Sequence, residues 1–186
     1  MLLHFFRNFL AFFLLLGSVS VNAGNYDEDV LEIYSKLLPR FIVMSDQSIR
    51  VKDEIHICLL EEEVDETAAI SLKERISCNY PQGIKNYKIK MTLANYTELS
   101  TCKNSELLFL FNSSKTHISE TLAYAKRHNS MTVSYDASLL EEGVSLSLYL
   151  GRKTLPYINT TALKRNGITL DPILLRISKL YMQGDK

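Results

Sequence analysis

The chain has 186 residues, 46% of them hydrophobic, and its 21 Lys and Arg are matched by 21 Asp and Glu. Such a balance, with no basic run, argues against nucleic acid or an anionic lipid surface as partner. The length is that of one ordinary domain able to bury roughly 70% of its unfolded surface, so a core needs no disulfide scaffolding.

The N-terminus is read first. Arg7 precedes the apolar run Phe9 to Leu16, and Val21-Asn22-Ala23 supplies small residues for cleavage, the pattern of a secretory signal peptide over residues 1–23. The run is shorter than the roughly 20 apolar residues of a membrane span. The expected product starts at Gly24, forms a single domain over 24–186 and works in solution outside the cytoplasm, with an uncleaved anchor as the rival. That compartment is oxidising and has no ATP pool. No repeat or Pro/Gly/Ser linker divides the remainder.

From Asp27, apolar Val30, Ile33, Tyr34, Leu37, Leu38 and Phe41 fall at helical spacing behind three acidic residues that suit a helix N-terminus. Pro39 is expected to kink or end this helix. Ile55 to Leu60 reads as a strand buried on both faces. His56 within it is an ordinary strand histidine pointing away from the core. Glu61-Glu62-Glu63 and a helix over Asp65 to Ser77 follow, with Ala68, Ala69, Leu72 and Ile76 on one side.

Pro81-Gln82-Gly83 is a turn, and Lys88 to Leu93 alternates as an edge strand does. The run Glu106 to Phe111, apolar from Leu107 on, predicts a central strand. Asn112-Ser113-Ser114 caps a helix to about Arg127, and Met131 to Tyr135 is a further strand. The order is then β-α-β-β-α-β, or plain βαβαβ with a short helix near Tyr96 to Ser100. Alternation of this kind predicts a mostly parallel βαβαβ sheet covered by helices. Val144 to Leu150, the Gly151-Arg152 turn and Thr154 to Ile158 make a C-terminal β-hairpin, whose Pro156 predicts an edge. Asn159 caps a short helix ended by Gly167. Asp171-Pro172 opens a terminal helix presenting Leu174, Leu175, Ile177, Leu180 and Tyr181 to the sheet.

Chemistry is sparse in this pattern. Three cysteines, Cys58, Cys78 and Cys102, mean one disulfide plus a spare thiol, or an intermolecular bond. There is no CxxC pair, and His56, His117 and His128 are scattered, so no metal is expected. The loop after the first strand carries Glu61-Glu62-Glu63 where a nucleotide-binding fold needs glycines. Asn112-Ser113-Ser114 reads as capping rather than as an anion site. No G-x-S-x-G elbow occurs, and Ser134 with Asp136 has no histidine at an informative distance. No catalytic residue and no cofactor follow. The sequons at Asn95, Asn112 and Asn159 would matter only in a eukaryotic secretory pathway.

The order and spacing of several short pieces resemble the YfiR (HmsC) family of periplasmic regulators. They are Tyr34, Leu37 and Phe41 of the first helix, Ile57-Cys58-Leu59-Leu60, Leu107 to Leu110, Thr132-Val133-Ser134, Gly143-Val144, Gly151-Arg152, Ile158-Asn159, and Gly167-Ile168 leading to Leu174-Leu175. The resemblance covers about Val30 to Leu180. It implies a non-enzymatic protein that binds the periplasmic sensor domain of an inner-membrane diguanylate cyclase and represses cyclic di-GMP signalling and biofilm formation. An outer-membrane lipoprotein would draw it away, and self-association as a homodimer stays open. It also implies a disulfide from the first strand to a cysteine before the central strand. Cys58 fits the first position, whereas Cys102 lies short of the family position near Ser105 or Glu106. A pairing of Cys78 with Cys102 is the runner-up, and a second family disulfide around Tyr135 to Val144 has no cysteines here. The reading from another class is an accessory or structural subunit, or a solute-sensing module, of a cell-envelope complex. No residue of the partner surface is legible in one sequence.

Overall fold

The computed structural model describes residues 26–182; the leader of residues 1–23 and the start at Gly24 lie outside the described residues. Helix α1 (Glu28–Val43) begins where Asp27 accepts hydrogen bonds from the Asp29 and Val30 amides. Pro39 sits inside it and does not end it, since the helix runs on to Val43. Tyr34, Leu38, Phe41 and Ile42 are fully buried on the face it presents to the sheet, and their packing outweighs the roughly 3 kcal/mol that an interior proline costs.

A one-turn helix, α2 (Gln47–Arg50), leads to β1 (Glu54–Glu61). After the 3-10 turn Glu63–Asp65 come α3 (Glu66–Asn79), the strand β2 (Lys88–Asn95) and a 3-10 segment, Tyr96–Cys102. Then follow β3 (Leu107–Leu110), α4 (Lys115–His128), β4 (Met131–Ser134) and a second one-turn helix, α5 (Leu139–Glu142). The hairpin is β5 (Leu146–Leu150) with β6 (Thr154–Asn159), and the chain closes with α6 (Thr160–Arg165), α7 (Pro172–Arg176) and β7 (Lys179–Tyr181).

The strands form one sheet in the order β2-β1-β3-β4-β5-β6-β7, parallel throughout except for the β5–β6 hairpin. This is the expected α/β class. The period of two divides β1 between two cores: Ile55, Ile57 and Leu59 pack beneath α1 and α3, while Cys58 and Leu60 face α4 and the Tyr96–Cys102 segment. Burial of both faces is why β1 and β3 read as continuous apolar runs. β2 is an edge, as its alternation predicts, with Lys88 and Lys90 outward to discourage pairing with another chain.

Two expectations fail at the C-terminus. The terminal helix stops at Arg176, where Ile177 N bonds Ile173 O and the Ser178 hydroxyl bonds Leu174 O, and Lys179–Tyr181 forms β7 instead. The apolar spacing of Leu174 to Tyr181 suits either state, and the open side of β6 supplies the deciding backbone partners from outside that window. β6 is therefore not an edge. Its ladder with β7 begins at Tyr157, so Pro156 is skipped and its missing N–H leaves no gap there.

The junction of β4 and β5 has a single ladder pair, Val133 with Leu146. Side chains bridge the rest: Ser145 N donates to Thr132 Oγ1 at 2.9 Å, and Ser147 Oγ to Ser134 O at 2.9 Å. Tyr34 Oη donates to the same carbonyl at 2.7 Å. All five residues are buried. Among the described residues, no helix is long and apolar enough to cross a membrane.

Candidate functional site

In an open α/β sheet, ligands bind outside the carboxyl ends of strands where the strand order reverses. Here β1 connects to β2 on one side and the chain returns to β3 on the other, so the reversal lies between β1 and β3. The loops at that point carry Glu61, Glu62 and Asp65 from β1, and Asn112 and Ser113 from β3.

The reversal point is filled by the protein itself. Ser113 Oγ donates to Glu62 Oε1 at 2.5 Å, and His117 Nδ1 lies 2.8 Å from the same carboxylate oxygen. Ser113 Oγ and His117 Nδ1 are 3.0 Å apart, and the Tyr96 ring stacks on the imidazole with centroids 5.8 Å apart. Ser114 caps α4 by accepting from His117 N, which is the capping role read from the sequence. Burial alone would raise the Glu62 pKa, but the bonds from Ser113 and His117 outweigh it and hold the carboxyl below its usual range.

A nucleophilic relay needs hydroxyl and carboxylate on opposite ring nitrogens. Here both meet Nδ1, so the three side chains form a brace rather than a relay. Its negative charge stands where a phosphate would sit, which disfavours nucleotides as the Glu61-Glu62-Glu63 run implied. The partnership of Ser113 with His117 escaped the sequence analysis. Its only trace there is the spacing of four residues, about one helical turn.

Beside the brace, Tyr26 Oη donates to Asp65 Oδ1 at 2.8 Å and accepts from Asn112 N at 3.0 Å. Asp65 is only 2% exposed, and its Oδ2 has no hydrogen-bond partner. Burial pushes the Asp65 carboxyl up, and it raises Glu61 and the Tyr26 hydroxyl as well. An acid held more protonated in the folded state contributes stability at low pH that is lost as pH rises through the folded pKa. Wild type should therefore gain thermal stability relative to Asp65→Asn as pH falls from neutral towards about 4. Melting curves of the two proteins that move in parallel across that range would show that Asp65 titrates normally.

The remaining predicted residues are structural. Cys58 and Cys102 form a disulfide with Cα atoms 5.5 Å apart, both buried, and Cys78 is a free, exposed thiol on α3. His56 meets Glu54 at 2.9 Å, and Ser134 Oγ donates to Asp136 O at 2.8 Å, away from any histidine. Among the described residues, no three His, Cys, Asp or Glu side chains converge as metal ligands would.

Two further surfaces stand out. A cleft of about 400 Å³ opens at the carboxyl ends of β3, β4 and β5, walled by Asn112, Tyr135, Asp136, Leu148, Tyr149 and Tyr157. Lys179 Nζ lies 3.6 Å from the centre of the Tyr149 ring. The C-terminal part also exposes large apolar side chains, among them Leu150, Ile173, Ile177, Leu180 and Met182.

What these features define is a helix-covered α/β domain with its phosphate corner occupied and apolar surface left open at the hairpin end. The chain belongs to the YfiR/HmsC-like family, whose model matches residues 38–179. No curated protein matches it. Among solved structures it is similar to a conserved domain protein from Vibrio cholerae, at 12% identity and a TM-score of 0.58, covering 81% of this chain and 59% of that one. It is similar too to an ABC domain from Streptococcus pneumoniae in complex with L-Trp, at 8% identity and a TM-score of 0.58, covering 82% and 60%. At these identities the likeness is one of fold, and the chain spans about three fifths of both structures' lengths.

Proposed function

We propose that this protein is a periplasmic, non-enzymatic regulator that binds the periplasmic sensor domain of an inner-membrane diguanylate cyclase and holds the enzyme off. An outer-membrane lipoprotein is the competing partner. The observation that carries this reading is the family match over residues 38–179, which runs from the second half of α1 into β7. The number of large apolar side chains exposed on the C-terminal part, Leu150, Ile173, Ile177, Leu180 and Met182, supports a docking role. The internal disulfide supports an oxidising compartment, as does the leader pattern with its start at Gly24.

The test is deletion of the gene. Intracellular cyclic di-GMP and surface attachment should rise, and a copy lacking residues 1–23 should fail to restore them. An unchanged cyclic di-GMP level, with every candidate cyclase present in normal amount, would remove the repressor reading.

The aromatic cleft at the carboxyl ends of β3 to β5 favours one second reading, a solute-sensing module of an envelope complex. In that reading the three tyrosines and Asn112 hold a small molecule, and cyclic di-GMP is unaffected by the deletion.

A further inference from the structure

We propose that the groove between α1, α7 and the start of β6 binds the carboxylate of a medium-chain fatty acid. Its walls are Ile33, Leu37, Met44, Pro156, Leu174 and Ile177, around a volume of about 370 Å³. That volume lies at the small end of the roughly 300–1,000 Å³ typical of small-ligand sites. The stretch of α1 from Ile33 to Met44 is about 16 Å long at 1.5 Å per residue. The apolar floor is thus elongated, a shape that suits one alkyl chain better than a fused ring.

The polar wall sets the sign of the ligand. Lys36 and Arg40 line the groove, one turn apart on α1, and no Asp or Glu does. Lys36 Nζ is held by Glu32 at 3.0 Å. Arg40 donates its Nε to Tyr80 Oη at 3.1 Å, which fixes the guanidinium and leaves both terminal nitrogens without a partner among the described residues. A fixed guanidinium fork matches the two oxygens of a carboxylate. A cation beside an apolar trough selects an amphiphile with an anionic head and disfavours a cationic one. Ile177 is 55% exposed, so the trough is reachable from solvent. The inference is independent of the regulatory reading, and the test below needs no cyclase.

The experiment titrates the purified protein with sodium dodecanoate below its micelle concentration, in a calorimeter. In parallel it is titrated with dodecyltrimethylammonium, which has the same chain and the opposite head, and with dodecyl phosphate. One-to-one saturable binding of dodecanoate is expected, about tenfold weaker in Arg40→Gln and intermediate in Arg40→Lys. Ile177→Glu, at an exposed position that leaves the fold intact, should abolish it. The phosphate, whose oxygens accept from the same guanidinium fork, should bind comparably. Equal or tighter binding of the cationic chain, or no binding of the phosphate, would overturn the proposal. So would unchanged affinity in both Arg40→Gln and Ile177→Glu, or the absence of saturable binding, which would leave the groove to a protein segment.

Discussion

Replacing Cys58 and Cys102 together by alanine should lower the stability of the folded domain by about 4 kcal/mol. The bond spans 44 residues of sequence, and in the chain-entropy account a closed loop of that size removes about that much free energy from the unfolded state's advantage. Domains of this kind hold only about 5–15 kcal/mol in total, so the loss takes a large share of what exists. Urea denaturation reads it as a lower midpoint, with a steeper slope because the uncrosslinked unfolded chain exposes more surface. Cys78→Ser, at an exposed position, should stay within about 0.5 kcal/mol of wild type. A double variant with an unchanged midpoint would show that packing alone holds β1 to the Tyr96–Cys102 segment.

The second large effect is expected at Phe109. Its ring is fully buried on β3, edge-on to Tyr34 at 4.9 Å and to Phe111 at 5.0 Å. Truncation to alanine removes both aromatic contacts and leaves a void between the sheet and α1, which cannot collapse because Tyr34 Oη is tethered to Ser134 O. The cost should be about 3–5 kcal/mol, measured by the same denaturation. Ile49→Ala, 84% exposed on α2, should change almost nothing. A Phe109→Ala loss below about 1 kcal/mol would mean that neighbouring side chains fill the space.

Most of the sheet was legible because its signals are local. Leu107 to Leu110 is apolar in every position and Ile55 to Leu60 in all but His56, as strands covered on both faces are. Asn159, Ser114 and Asp171 announce their helices by the side-chain bonds they make, each within three residues. What stayed hidden depends on distant partners. The segment Lys179–Tyr181 is a strand because β6 lies beside it, and nothing within the segment says so. The Glu62–Ser113–His117 brace joins side chains 55 residues apart, and one sequence carries no mark of it beyond the acidic run and the four-residue spacing of Ser113 and His117. The disulfide pairing came from family resemblance; the residues alone left the three cysteines interchangeable. Leu150, Ile177 and Leu180 read as core and are exposed, and their exposure is a property of the assembled sheet.

The parting between β4 and β5 has a consequence for how the molecule breathes. One backbone pair and a handful of hydroxyls join the two halves of the sheet there. Backbone ladders are cooperative along their length, whereas separate hydroxyl bonds are each worth only about 1 kcal/mol. Backbone pairing in the sheet is therefore thinnest between β4 and β5, while the core beneath α1 runs on across the seam. The block from β5 to β7 should therefore exchange its amides with solvent sooner than β1 and β3 do, which hydrogen-exchange measurements would read. That block carries the exposed Leu150, Leu180 and Met182. A molecule bound on that side would then slow its exchange.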